Sequence, residues 1–150
     1  MHVDTHLQKI SRLERSRSRL DPALDFELWF WATMQAGTQA LNAALHHAGL
    51  TSDRHAFPTQ PGVYLVPQND GTLAPQLLAP GDVLHLGRPR IEGELPADLQ
   101  RMAHAMEVIE AYRDPCVREG RPATPEIAAE CDAALQECLS LLRRRLSEPA

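Results

Sequence analysis

Hydrophobic positions fall into four helical runs, with an interruption after the second. In the first run Val3, Leu7, Ile10, Leu13, Arg17 and Leu20 share one face, apolar except at Arg17, while Lys9, Arg12, Arg15 and Arg19 occupy the other. This spacing predicts an amphipathic helix over residues 3–20. The second run, Leu24–Leu50, carries no formal charge from Leu28 to Leu45. Phe30, Met34, Gly37, Leu41, Leu45 and Ala48 form one track and Leu24, Leu28 and Trp31 a second. Ala32, Ala36, Ala40 and Ala43 form a row small enough for a neighbouring helix to come close. A helix apolar on most sides is a buried one, so this stretch is expected to be the central helix, about 40 Å long. Asp21 is the expected N-cap, Pro22 fits the first turn and Gly49 the stop.

Between Thr51 and Gly93 the period changes. Pro58, Pro61 and Gly62 mark irregular chain, Val63–Val66 has strand character, and Asn69-Asp70-Gly71 is a strong turn signal. The pattern reads as a short β-hairpin, with Pro67 and Pro75 limiting its ladder. Val83–Leu86 is a third candidate strand. The insert either holds a pocket or covers the open side of the central helix. Helical spacing returns over Leu95–Arg113, where Leu99, Met102, Met106 and Ile109 share a face. Asp114-Pro115 ends or kinks that helix, because a residue before proline avoids the helical region. Cys116–Ala123 reads as a loop. Thr124-Pro125-Glu126 then opens a fourth helix with a cap, a first-turn proline and an acid. Its inner face is Ile127, Cys131, Leu135, Cys138, Leu142 and Leu146. The fold class expected is mainly α: an antiparallel four-helix bundle with a short β-hairpin insert between helices two and three, one domain over residues 1–150.

Composition narrows the function classes. A net charge of −5 argues against a general nucleic-acid binder, while the basic face of the first helix leaves a local RNA or acidic-partner surface open beside the simpler reading of a solvated face. Thr33, Gln35, Thr38, Gln39 and Asn42 lie in the middle of the central helix and argue against a membrane span. Three cysteines without CxxC spacing point to a reducing compartment. The N-terminus MHVDTHLQKI has no signal pattern, so a cytoplasmic location is expected.

Candidate chemistry is sparse. His46 and His47 are adjacent and point about 100° apart on a helix, so they cannot chelate one ion in the usual way. His104 and Glu107 form a single i, i+3 pair, whereas bundle metal sites use such pairs from two helices with further carboxylates. These four are the ligand or metal candidates; no cofactor is expected and no residue is assigned as catalytic. His2 and His6 lie in a terminus expected to fray. Cys131 and Cys138 read as small core hydrophobes, and Cys116, between Arg113 and Arg118, is the thiol set closest to positive charge. The segment AYRDPCVREGR, Ala111 to Arg121, gathers Tyr112, Arg113, Asp114 and Arg118 at the joint between helices three and four. It reads either as a salt-bridged turn or as a polar contact surface for an anion or RNA.

The stretch FWATMQAGTQALNAALHHAG and the end IEAYRDPCVREGRPATPEIAAECDAALQECLSLL resemble the second and the last two helices of the HEPN superfamily. The resemblance implies a helical bundle that often dimerises. Its function would be that of an RNase, often a toxin, or of a binding partner for a small nucleotidyltransferase. In the RNase branch an Arg is followed after four to six residues by His. Here Arg118, Glu119 and Gly120 stand at those distances from Arg113, and the last histidine of the chain is His104. The expectation is therefore a non-catalytic, homodimeric interaction module, a toxin–antitoxin or nucleotidyltransferase-associated component. The alternatives are an RNA-cleaving enzyme and a small-ligand or metal-binding bundle.

Overall fold

The computed structural model describes residues 1–51, 63–77 and 94–147. The protein is mainly helical, with four α-helices among the described residues: α1 Val3–Arg17, α2 Phe26–His47, α3 Ala97–Glu110 and α4 Pro125–Ser147. A π-helical turn, Arg113–Arg118, stands between α3 and α4, and two strands, β1 Val63–Pro67 and β2 Leu73–Leu77, lie between α2 and α3 in the chain. The chain forms two compact units, Met1–Asp53 with Leu95–Ala150, and Arg54–Glu94.

In the first unit α2 is the central helix, packing against α1, α3 and α4, while α3 also packs against α4. The Phe30–Met34–Leu41–Leu45 track and the small residues Ala36, Ala40 and Ala43 are buried. Gly37 shows how closely α2 and α3 approach: a Cβ there would lie 2.2 Å from Met106 Sδ. The expected faces of α3 and α4 are buried from Leu99 to Ile109 and from Ile127 to Leu142, with Leu146 packed against them at the edge. Among the described residues, no helix is long and apolar enough to cross a membrane.

Three departures from the expected pattern have local causes. The second helix begins at Phe26 with Asp25 at its N-cap position, not after Asp21 with Pro22 in its first turn as expected. The Asp21 carbonyl accepts from the Leu24 and Asp25 N–H groups at 3.0 and 2.7 Å, and its Oδ1 accepts from Ala23 N–H at 2.8 Å. Asp25 Oδ2 in turn accepts from Asp21 N–H at 3.2 Å, so Asp21 organises a separate turn ahead of the helix. The Leu24–Leu28 track is not core: these residues are 83% and 64% exposed, because among the described residues the helices packed on α2 leave the flank at its start uncovered. At the end of α3, Pro115 has no N–H for the Ala111 carbonyl. The ladder widens to Glu119 N–H donating to Asp114 O at 2.9 Å, and Cys116–Arg118, expected as loop, belong to that turn.

The cap of α4 is as the sequence predicts: Thr124 Oγ1 accepts from Ile127 N–H at 3.3 Å. In the second unit β1 and β2 pair antiparallel, from Val63 opposite Leu77 to Pro67 opposite Leu73. Asp70 Oδ1 accepts from Thr72 N–H at 2.9 Å, and Gly71 takes φ of +81°, a left-handed conformation suited to glycine. The candidate strand Val83–Leu86 lies outside the described residues.

Candidate functional site

The joint between α3 and α4 is built on Asp114. Its Oδ1 accepts from Arg113 Nε at 3.0 Å and stands 3.5 Å from Arg118 Nη1. The Arg113 hydrogen bond, helped by both guanidinium charges, holds the Asp114 carboxyl below its ordinary range. Tyr112 donates its hydroxyl to Glu130 Oε2 of α4, a bond that raises the phenol pKa. Thus Arg113, Asp114 and Arg118 meet, and Tyr112 is tied to the neighbouring helix.

The ligand candidates are spread over two helices. His104 is 78% exposed and lies 3.6 Å from Glu107 along the surface of α3. His46, at the end of α2, shares its Nδ1 with Thr51 Oγ1 at 2.7 Å, while the buried Nδ1 of His47 has no hydrogen-bond partner among the described residues. No group of three or more His, Cys, Asp or Glu among the described residues is placed to hold a metal ion.

His6, expected in a frayed terminus, is instead buried, with 3% of its surface exposed. Its Nδ1 donates to Gln39 Oε1 at 2.6 Å, and its ring centroid lies 5.3 Å from that of His46. Burial lowers its pKa below 6.5; the Gln39 bond opposes the shift and His46 adds to it. The signal for this was its place on the Val3–Ile10 face of α1.

A concave feature lies where the end of α1, the start of α2 and the first turns of α4 meet. Arg17 crosses from α1 to α4, its Nη1 donating to Asp132 Oδ1 at 2.6 Å. The guanidinium carbon sits 5.4 Å from the centroid of the Trp29 ring, another residue lining the cleft. The Arg17 side chain is 12% exposed and Asp132 46%, and the buried Arg17 Nε has no partner among the described residues. Pro22, Ala23, Pro125 and Ala128 help line a cleft of about 400 Å³. Its volume falls within the range of clefts that hold small ligands, and its lining is mostly apolar. The start of α4 adds little polarity of its own, since Ile127 N–H is bound to Thr124 Oγ1. The Glu126 carboxyl is also held low by its own backbone N–H and by Thr124. Arg17 was visible in the sequence as the one charge on an apolar face. Asp132, 115 positions away, was not.

No protein-family model, curated protein or solved structure matches this chain.

Proposed function

We propose that the protein is a non-catalytic interaction module: an antiparallel four-helix bundle carrying a β-hairpin insert, related to the HEPN superfamily, and working in the cytoplasm. The observation that carries this reading is the Arg17–Trp29–Asp132 cleft, with the exposed Leu24 next in the chain to its lining residue Ala23 and the exposed Leu28 next to Trp29. Exposed large apolar side chains beside a concave apolar site with a fixed polar pair are the ingredients of a recognition surface. The arginine joint supports the non-catalytic part. Arg113 and Arg118 engage Asp114, Tyr112 engages Glu130, and no histidine follows His104 to act as a proton carrier for RNA cleavage. The partners proposed are a second copy of the chain and a protein such as a nucleotidyltransferase, with Tyr112, Arg113, Asp114 and Arg118 as a secondary polar contact surface.

The test is purification at low salt of the wild type and of the Leu24→Ser/Leu28→Ser variant, followed by light scattering and identification of what is retained. A stoichiometric protein partner or a dimer present in the wild type and lost in the variant supports the reading. Cleavage of added RNA that disappears in Arg113→Ala overturns it in favour of an RNase.

A further inference from the structure

We propose that the outward side of α1, with Lys9, Arg12 and Arg15 on the helix and Arg19 just beyond it, docks against the phosphate backbone of a nucleic-acid duplex. This surface shares no residue with the lining of the cleft and does not draw on the interaction-module reading.

Positive charge gathers here against the trend of the chain. Residues 8–19 hold five of the fifteen basic residues and one of the twenty acidic ones, in a protein of net charge −5. α1 buries His6 and Ile10 and packs on α2. Lys9, Arg12 and Arg15 follow at intervals of three, each about 4.5 Å further along the axis and about 60° round it. Arg12 and Arg15 leave the helix about 140° and about 160° from Arg17, whose side chain reaches across to Asp132. Arg12, Arg15 and Arg19 are exposed, and Lys9 is half-buried. Among the described residues none of these four cationic groups has an ion pair or hydrogen bond. Arg17, Arg101, Arg113, Arg118 and Arg145, by contrast, are each held by a carboxylate. Glu14, the acid within the stretch, leaves the helix about 160° from Arg12 and about 100° from Arg15.

The chemistry of this side selects its occupant. Its exposed residues are Gln8, Ser11, Arg12, Arg15, Ser16 and Arg19, polar throughout and rich in donors. A docked protein ordinarily meets an apolar centre with charges at the rim. Contacts with nucleic acid are more polar and far more positive, and arginine and serine are regular donors to phosphate oxygens. α1 contains no Phe, Tyr or Trp, so it offers no platform on which unpaired bases could stack. A duplex needs none, and it presents one charge per about 1.7 Å of its axis, so a row of cations meets phosphate wherever it lands. A lipid surface is disfavoured because the apolar side of α1, which would have to enter it, is packed into the core.

The probe is a labelled DNA duplex of mixed sequence, titrated with the full chain and followed by fluorescence anisotropy at several salt concentrations. If the three exposed arginines each neutralise one phosphate, log affinity falls against log salt with a slope of about −2.7, a loss of about 40-fold between about 50 and about 200 mM. Arg12→Gln/Arg15→Gln should weaken binding and take about two from the size of that slope, while Arg12→Lys/Arg15→Lys should keep it. Arg143→Gln/Arg144→Gln removes the same charge from exposed positions at the end of α4 and should leave affinity and slope as in the wild type. Should the Arg12/Arg15 variant fail to fold, Arg19→Gln alone must take about one from the slope. An RNA duplex of equal length should compete as well as the DNA duplex, and the matching single strand less well. No binding at low salt, equal losses in the two glutamine pairs, tighter binding of the single strand, or polyglutamate competing as strongly as the duplex overturns the proposal.

Discussion

Nδ1 of His6 donates to Oε1 of Gln39 at 2.6 Å, joining α1 to the middle of α2 across 33 positions of chain. The bond leaves His6 Nε2 buried and unpaired among the described residues. The groups acting electrostatically on this imidazole, His46, the N-terminal amine and Lys9, are all cationic when protonated, so the site resists a further proton.

Stability should therefore fall on mild acidification. The folded-state pKa of His6 is lowered from 6.5, so the unfolded chain takes up the proton first. The stabilisation is fully present above about 6.5 and is lost as pH falls through the lower folded value. Urea unfolding followed between about pH 7 and about pH 5 should show this loss, and His6→Asn should flatten it. The depressed carboxylates Asp98 and Asp114 act in a separate window, below about pH 4. An unchanged slope in His6→Asn would assign the loss to other groups.

The contact between Gly37 and Met106 sets how near α2 and α3 can come. Gly37→Ala gains about 1 kcal/mol of helix propensity but places a methyl 2.2 Å from Met106 Sδ, in a side chain with no exposed surface. Overpacking of this kind costs about 1–3 kcal/mol, so the expected net effect is a loss of about 1 kcal/mol. In a Met106→Ala background the same change should become neutral or stabilising. A double-mutant cycle by denaturant unfolding measures the coupling.

Arg145 grips Asp98 with two hydrogen bonds, Nε to Oδ2 and Nη2 to Oδ1, both at 2.6 Å. This ties the last turn of α4 to the first turn of α3, with the side chains 19% and 30% exposed. The Arg145 bond also holds the Asp98 carboxyl below its ordinary range. Arg145→Met should lower unfolding stability by about 1.5–3 kcal/mol, the range for hydrogen bonds to charged groups. The urea m-value should stay constant, because the core is untouched.

The thiols should separate by accessibility. Cys131 and Cys138 have no exposed surface, and burial pushes the Cys131 thiol up to about 12, while Cys116 is half-buried in the π-helical turn. Iodoacetamide applied to the native protein should modify Cys116 first, and the other two only after unfolding. Peptide mass mapping reads the order directly.

Periodicity made the helical core legible because burial follows the 3.6-residue repeat wherever a helix has a neighbour. The Thr124 cap was legible for the related reason that its partner, Ile127, is three residues away. Leu24 and Leu28 misled because periodicity reports an apolar stripe and is silent on whether another helix reaches it. Asp21 and Pro22 looked like a helix start; the backbone bonds from Leu24 and Asp25 to Asp21 made a separate turn instead. The arginine joint was found as a cluster, since Arg113, Asp114 and Arg118 lie within one turn. The cleft was not, because the pairing of Arg17 with Asp132 is a property of packing. Only the oddness of an arginine at an apolar position hinted at it.

Glu130 and Asp132 lie two residues apart on α4, so they leave the helix about 200° from one another. One holds Tyr112 from the α3 side and the other holds Arg17 from the α1 side. Helix ends ordinarily open first and exchange their amide hydrogens fastest. Here the opening of α4 from its N-terminus must release two anchors belonging to different helices before the third turn can fray. The amides of Glu130 to Asp132 should accordingly exchange with solvent at rates nearer those of the buried middle of the helix. Loosening either anchor should speed exchange on both flanks together.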